Sequence, residues 1–119
     1  MKVDLGPVAK TFRLEDSYPA INRLYQERGW TDGLPIVPPT AEAVAECLRH
    51  TDRDPRELIA VLPPRQGEAT VERIAVNTVM AGCRPEYLPV IITAIEALAD
   101  PGFNLDSIQA TTHPVAPLM

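Results

Sequence analysis

Cys83 lies in "MAGCRPEYLP", residues 80–89, between a glycine and an Arg-Pro pair, where one apolar helical pattern stops and another begins. Gly82 allows a sharp turn and Pro85 suits the first position of a helix, so the thiol is expected beside a helix N-terminus. Free N–H groups there, together with the charge of Arg84, favour the thiolate, the form in which cysteine acts as nucleophile or ligand. Pro89 cannot donate to the carbonyl of Pro85, which predicts an irregular first turn. The competing reading makes Cys83 a small apolar filler between two helices, as free cysteines often are. No base adjoins it in sequence.

A second group of candidates lies in "TTHP". Pro114 pushes His113 toward an extended conformation, and the expected strand at Ser107 to Thr111 would end with an imidazole and the hydroxyls of Thr111 and Thr112 projecting from it. Strand ends carry ligand-contacting groups in α/β proteins. A loop histidine can equally be an ordinary hydrogen-bonding residue. In "GWTDGLP" the only tryptophan, Trp30, precedes Asp32, which either braces its own turn or serves as an acid, base or orienting carboxylate. Cys47 falls on the inward face of a helix and reads as core. His50, at a helix C-terminus, and Glu72, in a first turn, are accounted for by the helix dipole. Asn77 lies away from its helix's apolar stripe, facing outward unless another chain covers that side.

These residues need elements to position them. Tyr18, Ile21, Leu24 and Tyr25 recur at helical spacing, with Ser17 placed to cap and Gly29 to terminate. An Asp-Gly turn and a short extended segment, Leu34 to Val37, lead to Pro38-Pro39. Thr40 then caps a helix from Ala41 to about His50, with Val44, Cys47 and Leu48 on one face. Leu58 to Leu62 reads as a strand that Pro63-Pro64 closes, followed by a loop containing a glycine. Thr70 opens the clearest helix, with Val71, Ile74, Ala75, Thr78 and Val79 in register and Gly82 just past its end. A further helix runs through Val90, Ile91, Ala94, Ile95 and Leu98, with Glu96 solvated, and ends at "DPGFN".

The expected fold class is therefore α/β: a small single domain of alternating helices and short strands with Pro-rich loops, spanning residues 16–119 behind an N-terminal arm at 1–15. A chain of 119 residues has room for one core. Its 13 prolines fall mostly between periodic segments and so act as punctuation. With 11 basic and 16 acidic residues and a net charge of −5, there is no basic stripe to hold nucleic acid. Neither a membrane span nor a signal peptide is present in the pattern, which points to the cytoplasm. Two cysteines without a CxxC pair read as reduced thiols, and with two distant histidines they make no self-contained zinc site. The residues name no cofactor.

"WTDGLPIVPPT", "GEATVERIAVNTVMAGCRPEYLPVIITAIEAL" and "FNLDSIQATTHPVAPLM" together resemble the N-terminal part of a bacterial family of longer proteins associated with the UGSC-motif (Cys/Sec-Gly-Ser-Cys) proteins. The likeness runs over roughly residues 28–119. It implies thiol or redox chemistry, and a second half that continues past "HPVAPLM" with glycine-rich and aromatic segments. This chain stops instead at Met119, on the apolar residues Val115, Ala116, Leu118 and Met119. The expectation is a domain completed by a second polypeptide, from split genes or from cleavage after Met119.

The functional expectation is a subunit of a heteromeric bacterial enzyme acting on a small molecule by hydrolysis, lyase or hydratase chemistry, or thiol redox. Cys83 would be the nucleophile or ligand and His113 the proton-transfer group, with Asp32, Thr111, Thr112 and Trp30 placing substrate. Two alternatives stand beside it: a non-catalytic structural or regulatory subunit, and a subunit that shares a metal with its partner.

Overall fold

Ser17 leads into the first helix, α1 (Tyr18–Glu27), but its hydroxyl makes no capping bond, contrary to expectation; only its carbonyl takes part, accepting from Ile21 at 3.0 Å. These are the first elements of a computed structural model that describes residues 10–116. Gly29, at φ +64°, ends α1 as expected. Its N–H bonds to the carbonyl of Gln26 and that of Trp30 to the carbonyl of Tyr25, satisfying two otherwise orphaned helix carbonyls. The part of the expected N-terminal arm that is described, residues 10–15, is exposed and irregular; residues 1–9 and 117–119 lie outside the described residues.

The segment Leu34 to Val37 is irregular and pairs with no strand. Its backbone groups find other partners. The Asn22 side chain on α1 accepts from the Ile36 N–H at 2.7 Å and donates to the Ile36 carbonyl at 3.5 Å and to Tyr18 at 3.1 Å. An amide side chain thus stands in for a neighbouring strand, holding Ile36 in the interior. Val37 donates to the carbonyl of Met80, one of the unsatisfied groups at a helix end.

Thr40 then opens α2 (Ala41–Leu48), its hydroxyl accepting from Ala43 at 3.2 Å. Val44, Cys47 and Leu48 are buried, as the periodicity predicts. Strand β1 (Leu58–Leu62) also forms where expected, but the region after Pro63-Pro64 is not simply a loop. It folds back as β2 (Gly67–Thr70), antiparallel to β1, with an irregularity between Leu58 and Ala60. The turn includes Gln66 at φ +53°. Thr70 ends β2 and caps α3 (Val71–Met80) by accepting from Arg73 at 3.3 Å.

At the end of α3 the expected glycine turn is present. Gly82, at φ +73°, donates to Val79, and Cys83 N–H donates to the carbonyl of Thr78 at 3.1 Å. A side chain at position 82 would be strained by that φ, whatever space surrounds it. Pro85–Tyr87 form a 3-10 turn before α4 (Leu88–Ala99), which is the irregular start that Pro89 predicts. The carbonyl of Pro85, left without a Pro89 donor, faces the Cys47 thiol at 3.9 Å and accepts from Leu88.

The core gathers Val44, Cys47 and Leu48 of α2, Val71, Ile74, Ala75 and Val79 of α3, and Leu88 and Ile92 of α4, with Ala69 of β2. Fully burying a side chain such as Leu88 contributes roughly 1.5–3 kcal/mol. Two charged residues depart from expectation. Glu96 is not merely solvated: it takes Nη1 of Arg53 at 2.6 Å, while Arg53 Nη2 reaches Glu57 at 2.7 Å, so one guanidinium joins α4 to the approach to β1. These bonds raise the affinity of Arg53 for its proton and, chiefly through the hydrogen bond, hold the Glu57 carboxyl below its ordinary range. Glu72 occupies the first turn of α3 but is only 3% exposed, with its backbone N–H on the Pro55 carbonyl. Burial lifts its carboxyl above the ordinary range, with Arg56 and Arg73 opposing the lift. With a folded value above the unfolded one, its contribution is fully present below the ordinary range and is lost as pH rises through the raised value.

The last expected strand is instead a short helix. Asp100 caps a 3-10 turn, Pro101–Phe103, by accepting from Gly102 at 2.7 Å, and Asn104 adopts φ +55° ahead of α5 (Leu105–Ala110). None of the α5 residues is buried. The described residues thus form a small single domain of mixed α/β character, with five helices and one two-stranded sheet. No single helix among them is long and apolar enough to cross a membrane.

Removing the Asn22 amide leaves the N–H and carbonyl of Ile36 unpaired in the interior. Asn22→Ala should therefore lower the unfolding free energy by about 1–3 kcal/mol in a urea titration; a loss within the error of the wild-type value would show that Asn22 does not hold this segment.

Candidate functional site

Cys83 is exposed, and the turn that ends α3 is what sets it there. It lines an open-sided groove of about 610 Å³ enclosed by the hairpin, α3 and α4. Leu62, Ala69, Ile74, Ile91 and Ile95 make apolar walls, and Glu68, Arg73, Asn77 and Thr78 supply the polar groups. The volume is within the range of small-molecule pockets, and an apolar lining with few polar groups is their usual composition.

The electrostatics around the thiol differ from the positive corner predicted by its neighbours. Cys83 N–H is bound to the carbonyl end of α3, which carries the negative pole of that helix. Arg84 is turned to Glu86, with Nη2 to Oε1 at 2.6 Å, so its charge is already matched. The following element opens as a 3-10 turn, with no side-chain cap. Cys83 is thus presented by geometry and exposure, with the charge of its neighbour in sequence, Arg84, engaged by Glu86.

Cys47 is different in every respect. Its side chain is 0% exposed, and burial, aided by the nearby Cys83, pushes its thiol upward. The core reading of this residue holds.

Trp30, Asp32, Thr111, Thr112 and His113 are not among the groove-lining residues. Trp30 belongs to an aromatic cluster, with ring centroids 5.5 Å from Phe12 and 5.2 Å from Tyr25, and Arg28 lies over it at 5.5 Å. That contact ties the N-terminal arm to the end of α1. Asp32 Oδ1 accepts from Leu34 N–H at 3.0 Å, bracing its own turn, while Thr31 accepts from Gly33 at 2.8 Å. Thr111 accepts from the backbone N–H of His113 at 3.2 Å. Thr112 and His113 are exposed beyond α5, so the imidazole does not project from a strand end. His50 lies past the end of α2, with Nε2 3.9 Å from Glu46. Among the described residues no three His, Cys, Asp or Glu side chains gather as a metal-ligand set.

Glu68 and Arg73 are groove residues on which the sequence reading was silent, while Asn77, read there as facing outward unless another chain covers that side, lines the groove as well. The signal was a line at i and i+4 on α3, Arg73 and Asn77, running beside the buried stripe of Ile74 and Thr78. What could not be seen was the hairpin opposite it.

Compared with protein-family models, curated proteins and solved structures, the chain matches none of them. The functional reading therefore comes from the geometry of the site.

Exposure separates the two thiols sharply. Iodoacetamide applied to the folded protein should give a single carbamidomethyl adduct at Cys83 by peptide mass mapping, with Cys47 modified only after denaturation. Equal labelling of both cysteines in the folded state would show that the Cys83 turn is not where this geometry puts it.

Proposed function

We propose that this chain is a subunit of a heteromeric bacterial enzyme that acts on a small molecule, with Cys83 as its nucleophile in the groove beside α3. The observation that carries the reading is an exposed thiol lining a concave, largely apolar site of small-molecule size. Such a thiol can attack an electrophilic carbon of a substrate, which fits hydrolysis or lyase chemistry, or take part in thiol redox.

No lining residue of the groove is a histidine or a second thiol, and Glu68 is its one carboxylate. His113 makes no side-chain hydrogen bond among the described residues, and Val115 beside it is an exposed apolar residue. In this reading the second polypeptide covers the open side of the groove and either carries residues 111–116 across to it or supplies the base itself. Membership in the UGSC-associated family is part of the same proposal.

A second reading, a non-catalytic structural or regulatory subunit, is favoured by α4. Glu96 is its only charged residue, and Val90 on its outer side is 70% exposed. A large apolar side chain in that position suits an interface. A shared metal would need ligands from the second polypeptide in addition to Cys83 and His113.

Native purification through a tag on this chain tests the proposal. A second polypeptide should copurify, Cys83→Ser should abolish turnover with the complex intact, and Val90→Asp should dissociate the complex. Unchanged turnover of Cys83→Ser would leave the structural reading, and the untagged chain migrating alone with full activity would remove both.

A further inference from the structure

The groove is chemically different at its two ends. Arg73, Asn77 and Ala81 fall at i, i+4 and i+8 and all line it, so they form one row along α3 and the turn that follows. At 1.5 Å per residue, Arg73 and Ala81 are separated by about 12 Å along the helix axis. Cys83 comes two residues later, beyond Gly82. Arg73 therefore lies toward one end of this row and Cys83 toward the other, and Ile74, Ile91 and Ile95 are among the apolar residues that line the groove with them.

The guanidinium is only partly engaged. Nη1 donates to the backbone carbonyl of Glu68 at 3.0 Å, while the nearest oxygen of the Glu68 carboxylate stands at 3.8 Å, beyond direct hydrogen-bond distance. No other acceptor among the described residues takes a bond from the Arg73 guanidinium. Arginine offers five N–H donors in a planar fork that matches a carboxylate edge. Asn77 commits one amide N–H to the Arg73 carbonyl at 2.8 Å and keeps its remaining amide capacity for a ligand.

We propose that the groove binds an extended amphipathic monocarboxylate, a medium-chain acid with its carboxylate on Arg73 and its hydrocarbon chain along Ile74, Ile91 and Ile95, the far end directed toward Cys83. This rests on the reading of the groove as a small-molecule site. The charge match is local, because the chain as a whole carries −5 and does not attract anions generally. Glu68 competes with the ligand for Arg73, so it tunes affinity downward.

The test uses decanoate below its micellar concentration and 1-decanol as the neutral isostere, with the full chain as purified natively. The readouts are calorimetric affinity and the rate of Cys83 alkylation. Decanoate is expected to bind and to slow alkylation of Cys83. Arg73→Gln should weaken decanoate about ten-fold or more and leave decanol unchanged, since a hydrogen bond to a charged group contributes roughly 1.5–3 kcal/mol. Glu68→Gln should tighten decanoate binding. Equal affinity for acid and alcohol, or an Arg73→Gln variant that binds decanoate like the wild type, overturns the carboxylate assignment and leaves the groove as a small-molecule site. Binding of neither probe, with alkylation of Cys83 unaffected, overturns the ligand class and the groove reading together.

Discussion

The turn between α3 and α4 is the constraint on which the rest of the structure depends. Gly82 takes a left-handed conformation that a side chain would strain, and with it the N–H groups of residues 82 and 83 return to the last carbonyls of α3. Three consequences follow from this one closure. The helix stops, Leu88 is brought back into the core, and Cys83 is left on the surface at one end of the groove. The prolines after it act on the next turn: Pro89 lacks the donor that Pro85 would need, so the chain passes through a 3-10 turn, and the Pro85 carbonyl faces the buried Cys47.

Much of this was legible because it is local. Thr40 and Thr70 cap the helices they precede, glycine terminates α1 and α3, and the i, i+3, i+4 spacing picks out the buried faces of α2 and α3. The parts that could not be read depend on partners distant in sequence. Glu96 meets Arg53 across 43 positions, and nothing near either residue announces the pair. Ile36 depends on Asn22, an amide that looks like any polar residue on an exposed helix until the segment folds over it. The β2 strand, "GEAT", has no apolar alternation and exists because β1 offers it a ladder. In "LDSIQA" the apolar residues are too few to fix a period, and the helix there follows from the Asp100 turn and Asn104.

The candidate site divides along the same line. Cys83 could be singled out from its glycine and prolines, but the expected positive surroundings could not survive knowledge of where Arg84 points, because Glu86 holds it. Asp32 and Trp30 have local work, in a turn and in an aromatic cluster, that accounts for their positions. Arg73 and Asn77 gain meaning only when the hairpin and α4 stand opposite them. A groove is a property of packed elements, and residues far apart in the chain acquire a common role through it.

Hydrogen–deuterium exchange of the chain with and without whatever copurifies with it tests most directly the proposal that a second polypeptide closes over this groove. Slower exchange is predicted at residues 67–69 of the hairpin and at the turn around Cys83, which line the groove. Unchanged exchange in both segments, with protection confined to other surfaces, would contradict the account.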